Sequence, residues 1–416
     1  MDLALDLLRH GYDALDVGRA RHGGADTWTT RLLGRRTLVV RGRRGAELFY
    51  DETRVRRRDA VPPPLGALLF GRGAVHALDG DEHRARKGVF LEVLRPARTE
   101  PLVAQVSDEL ARRFAAWADD GADGRPLFDE LVDVYGRAVL AWAGVPASDR
   151  EAGRRARGLA EVVDGFGFAG AAYARAWVQR VRLDRWAADL VRRVRAGEVA
   201  VAEDTALHAV ALGGGSGLPA SIAGVELLNV LRPTVASAWP ASLAVLEVAR
   251  HPGALDAFAG PATSEQDERR WGAVHEARRL TPFVPALAGR LRADVEHDGV
   301  RARAGDRIVL DVPGTMLDPA WWTDPGAFAP ERYHGAPPDP FAFVPQGGGD
   351  PADGHRCPGE PLTVGLVRVT LERLAEAGLA PTPGALAPAG ARGFGAGVDH
   401  RRIPPRVPGG CPVARP

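Results

Sequence analysis

Lysine is almost missing from this 416-residue chain: Lys87 stands alone, and arginine carries nearly all the positive charge. Neither sign dominates, since the formal net charge is +1, and that argues against a general nucleic-acid binder, which would carry a marked basic excess. Cysteine is equally scarce. Cys357 and Cys411 are the only two, and Cys411 falls in a Pro/Gly-rich tail. A disulfide framework is thereby excluded as the source of stability, and a reducing cytoplasm is the expected compartment. Long apolar runs are also lacking near the start. MDLALDLLRHGYDALD interrupts its apolar residues with charge every few positions, which suits a short amphipathic helix and neither a signal peptide nor a membrane anchor.

What is present is ample apolar material, 45% of residues, enough for a large buried core in a soluble protein. Most of it recurs at the 3.6-residue helical period, clearly from about Glu100 to Trp117, Leu127 to Ala143, Asp184 to Ala196, Ile222 to Ala249 and Thr363 to Ala377. Two stretches alternate instead. Residues 27–48 hold a β-like pair around Gly34-Arg35-Arg36, and residues 285–312 suggest another small sheet with a turn at Asp298-Gly299. The glycine-rich breaks at Gly213–Gly217 and Gly260–Thr263 separate no compositionally distinct halves. The expectation is one mainly α domain over residues 1–416 with a small β portion.

The segment Phe343-Val-Pro-Gln346-Gly347-Gly-Gly-Asp-Pro-Ala-Asp-Gly-His355-Arg-Cys357-Pro-Gly359-Glu360 is the most informative. Its successive glycines permit close approach to a flat ligand, and Cys357 precedes a helix whose N-terminus favours a thiolate, the metal-ligating form. Gly354-His355-x-Cys357-x-Gly359 resembles the haem-ligand loop of the cytochrome P-450 superfamily. Upstream, Glu276 and Arg279 form a Glu-x-x-Arg pair on one helix face. Phe328-Ala-Pro-Glu-Arg332-Tyr333 then resembles the segment whose arginine completes a buried Glu-Arg-Arg network in that family. The resemblance implies the P-450 fold, with haem b held on a thiolate between a long central helix and the cysteine loop. A thiolate ligand favours O–O bond cleavage at the iron.

Most of that superfamily carries an acid–threonine pair at the middle of the central helix. Here the helix reads Glu226-Leu-Leu-Asn229-Val-Leu-Arg232-Pro233, placing a guanidinium and a helix-breaking proline inside an apolar run. Two adjacent violations of local rules mark a functional site, and the planar fork of Arg232 suits a carboxylate. Leu-Leu-Asn-Val-Leu-Arg-Pro and Pro-Gln-Gly-Gly-Gly are similar to the bacterial fatty-acid peroxygenases and decarboxylases, and the resemblance runs along essentially the whole chain. It implies hydrogen peroxide as oxidant, a long-chain fatty acid anchored by Arg232 whose carboxylate serves as the general acid–base, and no obligatory reductase.

In Leu69-Phe70-Gly-Arg-Gly-Ala-Val-His76, the resemblance places His76 and Phe70 as in the members best known for terminal alkenes; members that mainly hydroxylate tend to carry Gln in place of His76. Histidine, unlike Gln, can donate a proton or hold the carboxylate's orientation near neutral pH. Loss of a β-hydrogen, a second electron and carbon dioxide gives a terminal alkene one carbon shorter, whereas hydroxyl capture gives the β-hydroxy acid; a mixture is expected. His83, Lys87, Arg58 and His355 are expected at the haem propionates, and Gln346, Gly347 and Gly359 around the ligand loop. Leu69, Phe166, Phe168, Ala169, Phe283, Val284 and Ala286 are expected to line the alkyl channel. Pro240 adds a second break, expected to shorten the central helix or to alter the far end of the substrate pocket. The alternatives are a reductase-dependent monooxygenase, and a haem-binding sensor in which His76 would be a sixth iron ligand.

Overall fold

The computed structural model describes residues 2–120, 127–166, 170–251 and 253–379. Its strands, in chain order, are β1 (Thr27–Leu32), β2 (Arg35–Val40), β3 (Val55–Arg56), β4 (Ala286–Leu291), β5 (Val295–His297), β6 (Val300–Ala302) and β7 (Arg307–Asp311). Leu33 and Gly34, with φ of 51° and 74°, close the hairpin between β1 and β2. Two-residue turns with positive φ match the natural strand twist. The expected turn at Gly34-Arg35-Arg36 is therefore Leu33-Gly34, and both arginines belong to β2. Asp298-Gly299 turns in the same manner between β5 and β6, as expected.

The two β regions are not separate sheets. β7 runs parallel to β2 and antiparallel to β4, giving one sheet in the order β1-β2-β7-β4-β3, while β5 and β6 form a hairpin. Every residue of β7 is buried, as are Leu38, Val39 and Val40 of β2. Such strands need neighbours on both sides, and each finds its second one only in the other region.

Asp311 ends β7 and caps the following turn of helix, accepting the Gly314 N–H at 2.9 Å, while its second oxygen is buried without a partner. Burial pushes its carboxyl up to about 6. A raised carboxylate pKa means that the folded state holds the proton more tightly than the unfolded chain. Stability therefore falls as pH rises from about 4 through 6, by up to ~3 kcal/mol. Asp311→Asn is expected to flatten that fall: relative to wild type, Tm should rise by a few degrees between pH 4.5 and pH 7.5, as measured by calorimetry.

The helical stripes form at Pro96–Asp120, Leu127–Trp142, Ala171–Arg195 and Glu360–Glu376, the third beginning well before the expected Asp184. The single helix expected over Ile222–Ala249 is two, Ala220–Ala236 and Ala238–Ala249, meeting at Ser237. Pro233 lies inside the first and leaves the Asn229 carbonyl without its helical donor. Pro240 falls in the first turn of the second, where its missing N–H costs nothing. It marks a start, not a kink. Leu227 and Leu231 of the central helix Ala220–Ala236 join Leu110, Phe114, Leu131 and Leu366 in the main apolar core.

Candidate active site

The cysteine loop is bolted down by short-range polar contacts. The Cys357 N–H donates to the Gln346 carbonyl at 3.0 Å, and Gln346 Nε2 lies 3.7 Å from Cys357 Sγ and 3.1 Å from Thr363 Oγ1. Gly347 has φ of 99°, and a β-carbon there would stand 2.7 Å from the Tyr50 hydroxyl, so both conformation and space demand glycine. Glu360 accepts from Arg278 at 2.6 Å and Arg356 at 2.7 Å, tying the loop to the helix Ser264–Leu280. Burial opposes ionisation of Glu360, but these two guanidinium groups hold its carboxyl below the ordinary range.

The same helix carries the expected Glu-Arg-Arg network. Arg279 donates twice to Glu276, at 2.7 Å each, and Tyr333 Oη, Arg332 Nε and the Ala329 N–H add bonds of 3.0, 3.2 and 3.0 Å. Arg279 also donates to the carbonyls of Met316, Pro325 and Ala327. Glu276 and Arg279 are both completely buried.

A helix N-terminus does not by itself ionise Cys357. Burial pushes its thiol up, against the opposing influence of the Gly359 N–H, Gln346 and Lys87. A bound metal ion would supply the missing positive charge, and Cys357 would ligate it as thiolate.

Facing the loop is a cluster of nitrogen donors. Lys87 Nζ donates to the carbonyls of Gly354 and Arg356, and the His83 ring stacks on His355 at 3.9 Å. Burial, reinforced by neighbouring positive charge, pushes His83 down to about 4 and His355 to about 2; burial lowers Lys87 to about 8. Arg58 does not join them. It is exposed and pairs with Glu82 at 3.2 Å, whereas its neighbour Arg57 turns inward over the Phe49 ring at 4.1 Å and bears on His355. Residues leaving an extended strand alternate sides, and the pairing of β3 with β4 selects Arg57.

His83 Nδ1 and His355 Nε2 are buried without hydrogen-bond partners; the two side chains and Glu52 bring ligand atoms within 4.8 Å of one another, and Glu52 Oε1 lies 3.7 Å from His355 Nε2. Such groups are costly unless they meet an acceptor. One sulfur ligand beside a cluster of cationic and hydrogen-bonding nitrogens is the donor set that haem b, with its iron and two propionates, requires. The residues present fit it.

On the other side of the site, three expected residues come together. Phe70 stacks on His76 at 4.3 Å, and the Arg232 guanidinium carbon is 5.7 Å from the Phe70 ring centre. The loop between them passes close to the central helix because Gly71, with φ of 92°, has no β-carbon; one would stand 2.7 Å from Val225 Cγ1 of that helix and 2.5 Å from Arg180 Nη2.

Arg232 is 6% exposed, with Nη2 3.0 Å from Asn229 Oδ1 and Nε unpartnered. Among the described residues no carboxylate forms an ion pair with it. Burial and Arg180 push its pKa down to about 9, so it stays a cation at neutral pH.

Of the two roles expected for His76, its surroundings favour the orienting one. His76 keeps solvent access although protein atoms crowd its ring. Burial first, then Arg232, His83 and Lys87, push it down to about 3. It is neutral at pH 7 and offers a hydrogen bond, not a titrating proton.

Of the expected channel residues, Leu69, Phe166, Phe283, Val284 and Ala286 are half-buried. Phe283 packs on Trp239 at 5.8 Å, and Ala286 opens β4 opposite Asp311. Phe168 and Ala169 lie outside the described residues, as does Cys411. Sequence reasoning missed Arg57, Glu226 and Asn229. For the last two there was a signal: polar residues six and three positions before Arg232 in an otherwise apolar helix.

Residues 272–374 match the family model described as Cytochrome P450. Cytochrome P-450 138 of Mycobacterium tuberculosis is 25% identical over 370 residues, covering 82% of this chain and 78% of that protein. Among solved structures, cytochrome P450SP alpha (CYP152B1) is similar at 36% identity and a TM-score of 0.82, over 89% of this chain and 90% of its own. It has also been seen in complex with (R)-ibuprophen. A variant of cytochrome P-450 OleT in complex with arachidonic acid is similar at 29% identity and a TM-score of 0.82, over 90% of this chain and 89% of its own.

Proposed function

The chain belongs to the cytochrome P-450 family, which implies haem b held by a cysteine thiolate, and we propose that it oxidises long-chain fatty acids with hydrogen peroxide. The products are terminal alkenes one carbon shorter, together with α- and β-hydroxy acids. The observation that carries this reading is Arg232: a buried cation whose one side-chain hydrogen-bond partner among the described residues is an amide, beside Phe70 and His76, on a helix without an acid–threonine pair. Two similar structures hold carboxylic acids, arachidonic acid and (R)-ibuprophen, which supports an anionic substrate.

Cys357 would ligate the iron, with Gln346 donating toward its sulfur; Arg57, His83, Lys87 and His355 would hold the propionates. Bound there, haem supplies an iron centre able to cleave peroxide and oxidise a C–H bond. Arg232 binds the fatty-acid carboxylate and fixes how far the chain enters, so the α and β carbons are the ones presented. The anchored carboxylate takes a proton from one peroxide oxygen and returns it to the other, the task an acid–threonine pair performs elsewhere. Neutral His76, held flat against Phe70, donates a hydrogen bond that orients that carboxylate.

The test is product analysis of haem-loaded protein with a long-chain fatty acid and peroxide, without reductase. Alkene and hydroxy acid are expected. Turnover only with a reductase and NAD(P)H would replace this reading with a conventional monooxygenase. His76→Gln is expected to shift the alkene-to-hydroxy-acid ratio toward hydroxy acid by about fivefold, the effect of ~1 kcal/mol between competing steps. An unchanged ratio would reduce His76 to a packing partner of Phe70.

A further inference from the structure

Glu226 is the hub of the polar contacts behind Arg232. It is 1% exposed in the apolar central helix and meets three hydrogen-bond donors. Oε1 accepts the Val75 N–H at 2.9 Å and Arg86 Nη1 at 3.0 Å, and Oε2 accepts Asn229 Nδ2 at 3.1 Å. Asn229 Nδ2 also donates to the Phe70 carbonyl at 3.0 Å, which leaves its oxygen turned to Arg232 Nη2 at 3.0 Å. One carboxylate thus reaches the residue beside His76, the residue stacked on His76, the guanidinium of Arg232, and Arg86 on the helix that carries His83 and Lys87. Residues spaced by three share a helix face, which is why Glu226, Asn229 and Arg232 can form a relay.

We propose that Glu226 is a positioning residue for carboxylate recognition: it fixes the orientation of the Asn229 amide and so the way Arg232 is presented beside Phe70 and His76. The inference rests on the role of Arg232 given above. Its basis is hydrogen-bond arithmetic. All three neighbours of Glu226 are donors, and only a carboxylate accepts at both ends. Glutamine has nearly the same shape but one donating end. It must either abandon Val75 and Arg86 or face Asn229 donor to donor, and in both cases the relay loses its fixed polarity. Simple Coulomb attraction predicts the opposite: removing a negative charge near Arg232 should tighten its hold on an anion.

The experiment is equilibrium dialysis of haem-loaded protein with radiolabelled palmitic acid and, separately, hexadecan-1-ol, comparing wild type, Glu226→Gln, Asn229→Leu and Arg232→Leu. Wild type should prefer the acid. Glu226→Gln should lose about tenfold in acid affinity while alcohol affinity changes less than about twofold. Asn229→Leu, which spares the Val75 and Arg86 bonds, should show the same selective loss even if Glu226→Gln folds poorly. Unchanged or tighter acid binding in these variants overturns the inference, as does acid and alcohol affinity falling in step. If Arg232→Leu keeps the acid preference, the role of Arg232 itself fails and the inference falls with it. If Arg232→Leu loses the preference while the other two variants keep it, only the inference falls.

Discussion

Arg232→Leu is expected to bind haem normally and to lose two to four powers of ten in peroxide-driven turnover of a long-chain fatty acid, the usual worth of a positioned general acid–base. Two contributions disappear together. Without the guanidinium the carboxylate is not held at the site, and without the carboxylate no group there moves the peroxide proton. Stability should change little. Arg232 is buried without a carboxylate partner, so leucine removes a desolvated charge and leaves only Asn229 Oδ1 wanting a donor, a loss of about 1 kcal/mol. Initial rates at matched haem content, with a thermal melt, check both halves. Retention of more than about a tenth of the wild-type rate would show that proton transfer does not pass through a carboxylate at Arg232.

Glu276→Ala should have the opposite profile, failing in folding before chemistry. Arg279 would stay fully buried with no carboxylate, and Tyr333 and the Ala329 N–H would lose their acceptor. An unpaired buried charge costs about 3–5 kcal/mol, against a total stability of about 5–15 kcal/mol. Loss of haem retention and of most soluble yield is expected. For an isolated buried ion pair, replacing both partners by apolar residues usually restores stability. Here E276L/R279M should not, because Arg279 also satisfies the carbonyls of Met316, Pro325 and Ala327. Full recovery in a denaturation series would show that those three bonds contribute little.

How much was legible in the sequence follows from how the chemistry is spread along it. The cysteine loop and the Arg232-Pro233 pair are contiguous, so their residues announce one another. Glu276, Arg279 and Arg332 are dispersed but sit in recognisable local patterns. Arg57 is a different case. In Arg56-Arg57-Arg58 nothing local says which guanidinium turns inward; that is decided by the pairing of Val55 and Arg56 with β4, more than two hundred residues later. The charge of His76 was likewise hidden, since it depends on burial and on cations brought from other elements. The Ile222–Ala249 stripe misled because apolar periodicity runs unbroken through Ser237, while the join is set by Pro240 needing a first-turn position.

The parallel seam between β2 and β7 has a consequence for synthesis. Leu38, Val39 and Val40 reach the ribosome exit early, and the strand that covers their open edge, Arg307–Asp311, is made only after most of the chain. Until then the hairpin presents an apolar edge with unpaired backbone groups, the kind of surface that recruits the wrong partner. The nascent chain must shield or tolerate that edge throughout the translation of the helical core. Expression yield should therefore be more sensitive to substitutions in β2 than to equally buried ones in the late helix Glu360–Glu376.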